Sequence, residues 1–243
     1  MKAINTELST LATQFGQKVR EATVAGAVFV TDKAQLKGMS EADIAAAAKL
    51  AAEKGKPGQW AIALQNTTQQ PALPGLENRA LRERLFMASL HRADGKANPA
   101  HDTRVLLAKI AALRAEKAGL FGNPDWATYA MWDRMAKNPK TALDFMNQMV
   151  PALAATQRSD AAALNAQIRK EGGNFTVKPW DWYRYANKVK AERYQLDEDK
   201  MMEYFQLDKV LEDGVFYMAN QLYGLNFTRR NDIPVYHPDV WTY

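Results

Sequence analysis

Residues 138–173 read NPKTALDFMNQMVPALAATQRSDAAALNAQIRKEGG and carry the signals of a long helix. Asn138-Pro139 predicts the helix start, because proline at the first helical position costs no hydrogen bond. Pro151 would meet the carbonyl group four residues before it, so we expect a kink or a break there. The helix is expected to resume after Pro151 and to end at Gly172-Gly173.

Helical signals continue on both sides of this stretch. Ser40 followed by Glu41 and Asp43 predicts a capped helix start, and Gly55 predicts its end. Further helices are predicted at residues 4–19, 76–92, 101–117 and 126–136, at a segment that begins at Pro179, and at two segments capped by Asp197 and Asp208. The 101–117 helix is expected to bury Val105, Leu106, Ile110 and Leu113. The final helix is expected to end at Gly224 and to bury Leu211, Val215, Met218 and Leu222.

Short β-prone runs interrupt the helices. Residues 27–30 form one such run. Trp60, Ile62 and Leu64 alternate with alanines, which predicts a half-buried strand followed by a loop over residues 66–74. Strands are also predicted at residues 225–228 and near Val235, and the terminal run 240–243 is expected to lack a pairing partner. The sequence therefore predicts a mainly α fold with a few short β-strands.

The composition excludes several kinds of protein and site. With 47% hydrophobic and 24% charged residues, the 243-residue chain can bury a globular core. It contains no cysteine, which rules out disulfides, thiolate zinc sites and cysteine nucleophiles and suits a reducing compartment. The formal charge of +5 does not indicate a nucleic-acid partner, because Lys and Arg lie among acids, as in Arg79–Arg84.

The sequence shows the pattern of neither a signal peptide nor a membrane-spanning helix. Polar residues interrupt the first twenty positions, and the longest nearly apolar stretch, Val24–Val30, is too short to cross a bilayer. We therefore predict a cytoplasmic protein that has no membrane partner.

The side chains that could carry catalysis are few and scattered. His91, His101 and His237 do not form the His-Glu-x-x-His pair of a catalytic zinc site, so structural roles are predicted, with a place in a cleft as the alternative for His237. None of the four serines lies in a Gly-x-Ser-x-Gly turn, and Gly172-Gly173 does not open a phosphate-binding loop. Glu212-Asp213 is interpreted as helix-surface charge. No catalytic, cofactor-binding or metal-binding residue is therefore assigned.

An aromatic cluster opens the helix that begins at Pro179. It comprises four aromatic residues and three cations: Trp180, Trp182, Tyr183 and Tyr185 with Arg184, Lys188 and Arg193. Such a group can stack on bases or hold a peptide, but burying this much aromatic surface in a core gives a larger gain in free energy. Core packing is the preferred interpretation. The alternative is a non-catalytic α-helical module that binds a protein or peptide around Trp182.

Several short motifs occur in the order found in one peptidase family. They are Asn5-Thr6-Glu7-Leu8, Phe15-Gly16, Asn78–Glu83, Ser89–Arg92, Ile110–Ala118, Met135–Pro139, Pro179–Trp182, Tyr204-Phe205, Leu222–Leu225 with Phe227, and Pro234–Val240. Together they resemble the middle of the thimet oligopeptidase family of zinc metallopeptidases, which includes oligopeptidase A. The resemblance covers nearly the whole chain, and the last motif resembles the bacterial peptidyl-dipeptidase subgroup.

The resemblance implies a partial zincin-like, neurolysin-type helical fold in which two lobes enclose a channel for short peptides. It also implies that the complete protein uses zinc to release dipeptides from the C-termini of such peptides. The family's zinc ligands, His-Glu-x-x-His and a later glutamate, have no matching positions in this sequence. Residues 1–243 are thus expected to be one segment of a larger peptidase domain, truncated at both ends. This segment is expected to form channel wall and scaffold, to be inactive alone, and to pair with the C-terminal catalytic half.

Overall fold

Helices dominate the architecture of this chain. The computed structural model describes residues 1–65, 72–194 and 198–243. The chain divides into two compact units, Met1–Val189 and Lys190–Tyr243. Within the described ranges, the sheet structure consists of one pair of short strands and one isolated bridge. The prediction of a mainly α fold with few strands is therefore confirmed.

Over residues 1–65 and 72–189, the first unit is mainly helical, and its last helix continues past Val189. In chain order the helices are α1 Lys2–Ala25, α2 Glu41–Glu53, α3 Arg79–Leu90, α4 Arg104–Gly119, α5 Trp126–Met131, α6 Pro139–Lys170 and α7 Pro179–Tyr194. Short 3-10 turns occur at Lys33–Leu36 and Pro99–His101. Residues 72–75 are also helical, so the predicted loop over 66–74 is wrong at its end, and residues 66–71 lie outside the described part.

Side-chain caps fix the helix starts that the sequence indicated. The Ser40 hydroxyl oxygen accepts a hydrogen bond from the Asp43 N–H at 3.1 Å. The Asn138 side chain accepts one from the Thr141 N–H at 2.9 Å, directly before Pro139. These bonds satisfy backbone donors that have no partner inside the helix. Both predicted starts are confirmed.

Several helix boundaries differ from the prediction for local reasons. Helix α3 begins at Arg79 because the Asn78 side chain caps it, and α4 begins at Arg104, after the 3-10 turn. Helix α5 ends at Met131 rather than at residue 136, and the residues that follow form turns up to Lys137, which has a φ of 62°.

Pro151 does not interrupt helix α6. The helix runs without a break from Pro139 to Lys170, so the break is ruled out, and a kink at Pro151 stays a prediction. A proline ring removes one backbone hydrogen bond, whereas the bonds of the neighbouring turns remain. The predicted end is confirmed by Gly172, whose φ of 81° suits glycine and ends the helix.

Two short strands lie over the larger of two cores. Strand β1, Val28–Val30, pairs antiparallel with β2, Trp60–Ile62. Ala61 and Ile62 are both buried, so both faces of β2 are covered and the prediction of a half-buried strand is wrong. The core beneath the sheet is built from residues of many elements: Val28, Val30, Leu36, Ile44, Ile62, Leu64, Ala72, Leu73, Leu76, Leu81 and Leu85.

A second, smaller core joins the end of α6 to α7. Leu164 and Ile168 of α6 and Tyr185 of α7 are buried together. Trp182 and Phe175 pack against this group. The C-terminal part of α6 is thus fixed by α7, whereas its N-terminal part has no buried residue.

The second unit begins at Lys190, and its described residues form short helices and irregular segments. After the end of α7 it contains α8 Glu198–Met202, α9 Leu207–Lys209, a π-helix Val210–Phe216 and α10 Tyr217–Tyr223. None of its described side chains is buried. The predicted buried face of the final helix is therefore wrong: Val215, Met218 and Leu222 are each more than half exposed, and Leu211 is partly exposed.

The remaining predictions for the second unit have mixed outcomes. Gly224 ends the last helix with a φ of 68°, as predicted. Asp208 is not a cap, because Gln206 occupies that position, and Asp197 lies outside the described residues. Residues 225–228 and the run near residue 235 are not strands. The terminal run does have a partner, because the Arg230 N–H donates to the Thr242 carbonyl at 2.8 Å.

Candidate functional site

Two of the three histidines line one cavity in the first unit. A cavity of about 290 Å³ between the ends of α1 and α3 is lined by His91, His101 and Arg92, among others. His91 Nδ1 lies 2.8 Å from the Asp94 carboxylate. Arg92 donates to the hydroxyls of Thr23 and Ser89.

His237 belongs to the second unit and is exposed there. Its Nδ1 accepts a hydrogen bond from the Asp239 N–H at 3.3 Å. Across residues 1–65, 72–194 and 198–243, no group of three or more His, Asp or Glu side chains is placed to hold a metal ion. The described residues therefore do not form a ligand set for a catalytic metal ion.

A buried carboxylate, Asp181, organises the polar interior of the first unit. It lies in the first turn of α7, where its oxygens accept the backbone N–H of Lys178 at 3.2 Å. Arg79 donates to it through Nε at 3.1 Å and through a terminal nitrogen at 2.9 Å. Arg82, itself buried, donates at 2.8 Å. Four donor atoms thus occupy the carboxylate, which suits an anchor between α3 and α7 rather than a proton acceptor.

Arg82 and a further arginine, Arg184, bind backbone carbonyl groups where two chain segments cross. Arg82 also donates to the carbonyl oxygens of Leu76 and Glu77 at 2.8 and 3.0 Å. Arg184 of α7 donates to the Gly75 carbonyl at 2.9 Å. Gly75 contacts Gly38 so closely that a Cβ at residue 38 would lie 2.1 Å from the Gly75 oxygen. The arginines thereby satisfy buried carbonyl groups that this approach leaves without helix or sheet partners.

The aromatic cluster at the start of α7 serves mainly in packing, as predicted. Burial raises the pKa of Tyr185, and Trp182 packs against the same core. The Arg79 guanidinium lies 4.3 Å from the centre of the Phe175 ring. Lys188 binds Glu171 at 2.5 Å. A ligand platform around Trp182 therefore has little free surface, although Tyr183 is exposed.

The role of Asp181 was missed in the sequence, where no site residue was assigned. A signal for it was present, because an acidic residue in the first turn of a helix that begins with Pro179 favours capping bonds. Its pairing with Arg82, 99 positions away, has no counterpart in local sequence.

Glu212 forms a contact in the second unit that surface charge alone does not explain. It accepts a hydrogen bond from the Tyr243 hydroxyl at 2.8 Å, which raises the pKa of Tyr243. Phe216 stacks on Phe227 with 4.2 Å between ring centres. Glu212, Asp213 and these rings line an open cavity of about 480 Å³. No group in this cavity completes a nucleophile and base pair.

Helix α6 carries an exposed apolar face on its N-terminal part. We call Leu143, Met146, Val150 and Leu153 the apolar seam, because they recur at steps of three, four and three residues. Their exposed fractions are 54%, 48%, 54% and 62%. Helix α4 is also less covered than predicted, since Val105 is 77% exposed while Ile110 is buried.

The chain is mainly helical, and its buried polar side chains hold the helices of the first unit together. Its sequence matches a model of Peptidase family M3 over residues 73–243. The chain belongs to Peptidase family M3, whose members are zinc metallopeptidases. The family membership predicted from the motifs is confirmed.

The most informative relatives are dipeptidyl carboxypeptidases. The chain is 47% identical to dipeptidyl carboxypeptidase of Escherichia coli K12 over 240 residues, which are 99% of this chain and 35% of that protein. The Salmonella typhimurium dipeptidyl carboxypeptidase is 45% identical with the same coverage. Oligopeptidase A of E. coli is 32% identical over 239 residues, 98% of this chain and 35% of that protein. The higher identity to the dipeptidyl carboxypeptidases confirms the predicted subgroup.

The chain is shorter than the relatives it matches. It spans about a third of the length of these curated relatives. Throughout the part of the chain that the structure describes, helices long and apolar enough to cross a membrane are absent.

Proposed function

We propose that this chain is part of a zinc peptidyl-dipeptidase, which releases dipeptides from the C-termini of short peptides. The observation that carries the proposal is the 47% identity to a dipeptidyl carboxypeptidase across 99% of the chain. Short peptides are the proposed substrates, and the cytoplasm is the proposed compartment.

In this proposal, residues 1–243 are one segment of a larger peptidase domain and form scaffold and channel wall. Support comes from the first unit, where Asp181 and the terminal nitrogens of Arg82 hold α3, α7 and neighbouring backbone together. Such internal commitment suits a rigid support for an active site built elsewhere. The zinc ligands are assigned to the C-terminal catalytic half of the same protein, the proposed partner of this segment.

A dipeptide-release assay tests the proposal. The 243-residue chain and the complete protein that carries it are each incubated with zinc and a short peptide, and the released fragment is identified by mass spectrometry. The complete protein should release the C-terminal dipeptide and should lose this activity on chelation. The chain alone should release none, because its described residues offer no metal site.

Two results would contradict the proposal. One is metal-dependent release by the 243-residue chain alone. The other is a folded, zinc-loaded complete protein that releases no dipeptide, or that releases the N-terminal dipeptide instead. A control peptide that carries the same dipeptide at its N-terminus separates these positions.

A further inference from the structure

The spacing of the apolar seam on helix α6 is that of a helix–helix contact. Leu143, Met146, Val150 and Leu153 follow the three-four spacing of the apolar positions in helices that pack side by side. At 1.5 Å per residue the seam is about 15 Å long, which is nearly three helical turns. Met149 flanks it, with an exposed fraction of 40%. This is a continuous apolar stripe rather than scattered surface residues.

The other side of the same helix is polar and suited to water. Lys140 and Asp144 form an ion pair at 2.5 Å one turn apart. Ser159 is exposed and, at about 100° of rotation per residue, lies on the opposite side of the helix, about 9 Å beyond Leu153 along the axis. By the same rotation, Pro151 lies about 120° from the centre of the seam, so the residue that lacks a backbone N–H is not part of the apolar side. The helix therefore has one side built for contact and one built for solvent.

We propose that the apolar seam is covered by an apolar helix from the remainder of the same peptidase chain, outside residues 1–243. This inference rests on the proposed function, because it requires the segment to belong to a larger peptidase. The relatives provide the material for such a contact, since about two thirds of their length has no counterpart here. The contact fixes the N-terminal part of α6, which the first unit itself leaves without a buried residue.

The size of the seam favours a partner within one chain over a second copy. Stable complexes between separate proteins use about 20–30 residues on each side, whereas the seam and its flanks provide far fewer. A contact between parts of one chain does not need that area, because the covalent connection gives the partner a high effective concentration. An intramolecular helix is therefore the occupant that matches this surface.

A thiol-accessibility experiment on the complete protein tests the inference. The chain has no cysteine, so Met146→Cys places one thiol in the seam, and Ser159→Cys provides a matched control on the polar side of the same helix. Each variant is made in the complete protein and in the 243-residue chain, and the rate of maleimide labelling at that peptide is followed by mass spectrometry. Any cysteines of the remaining protein are distinguished by peptide mass.

The expected result is protection that depends on the remainder of the chain. The Met146→Cys thiol should react at least ~100-fold more slowly in the complete protein than in the 243-residue chain, because a buried thiol reacts only after local opening. The Ser159→Cys thiol should react at similar rates in both. Equal labelling of the two thiols in the folded complete protein would overturn the inference.

Two further readings complete the test. Protection of the Met146→Cys thiol in the 243-residue chain, increasing with protein concentration, would identify a second copy as the occupant and would also overturn the inference. Dipeptide release by the unsubstituted complete protein is measured in parallel. Absence of release with the seam protected would contradict the proposed function and leave the contact itself supported, so the two failures are distinguishable.

Discussion

Removal of the Asp181 carboxylate should destabilise the first unit more than removal of its partly exposed partner, Arg79. Asp181→Ala leaves the buried guanidinium of Arg82 without its carboxylate. Loss of one member of a buried ion pair costs about 3–5 kcal/mol of unfolding free energy. Arg79→Ala should cost about 1–2 kcal/mol, because the Arg79 side chain is 35% exposed and Asp181 keeps Arg82 and the Lys178 N–H.

Urea denaturation provides the measurement. Tryptophan fluorescence reports on the region, since Trp180 and Trp182 flank Asp181, and circular dichroism follows the helices. A double variant, Arg82→Met with Asp181→Leu, should recover only part of the stability lost in Asp181→Ala, because it removes the unpaired buried charge but also removes the donor to the Leu76 and Glu77 carbonyls.

The reasoning fails if Asp181→Ala costs no more than Arg79→Ala, or if its cost is below about 1 kcal/mol, the range of exposed ion pairs. It also fails if the double variant is less stable than Asp181→Ala. Either result would mean that Asp181 is not the anchor between α3 and α7.

Four further substitutions have expected outcomes that denaturation experiments can check. Lys137→Gly should stabilise the chain by up to about 1 kcal/mol, because relief of about 1–2 kcal/mol of strain at the φ of 62° exceeds the backbone entropy cost of glycine, about 0.5–1 kcal/mol. Leu36→Ala should cost about 2–5 kcal/mol, whereas Val105→Ala should change stability by less than about 0.5 kcal/mol, since only Leu36 is buried. Hydrogen bonds from Arg104 lower the pKa of Asp102 to about 2, so its contribution to stability is complete above about pH 4 and falls as the pH drops through 2. Asp102→Asn should remove that part of the pH dependence.

Local sequence predicted the parts of the fold that neighbouring residues control. The starts of α2 and α6 were predicted from Ser40 and Asn138, because a capping side chain bonds to an N–H only a few positions away. The end of α5 was predicted wrongly, since the helix stops at Met131 and turns follow. The positive φ at Lys137 was not predicted either, because lysine rarely adopts that conformation.

Predictions of burial were less successful, because burial depends on distant residues. The alternation from Trp60 to Leu64 indicated one covered face, yet Ala61 is buried as well. In the second unit, Val215 and Met218 have the spacing of a buried face but are exposed. Periodicity identifies the side of a helix that is apolar, and it does not supply the element that covers that side.

The candidate site shows the same division. The sequence correctly identified the family through ordered motifs, and it assigned no catalytic or metal residue. The pairing of Asp181 with Arg79 and Arg82 was not predicted, because about 100 residues separate the partners and an ion pair at that separation leaves no periodic pattern.

The sequence by itself determined the helical class, the main caps, the absence of thiol chemistry and the peptidase family. These properties follow from residue inventory and from contacts within a few positions. The tertiary structure alone decided that α6 buries Leu164 and exposes Leu143, and that Asp181 holds two helices together. The physical reason is that burial and buried ion pairs are properties of distant chain segments brought into contact, which no local pattern encodes.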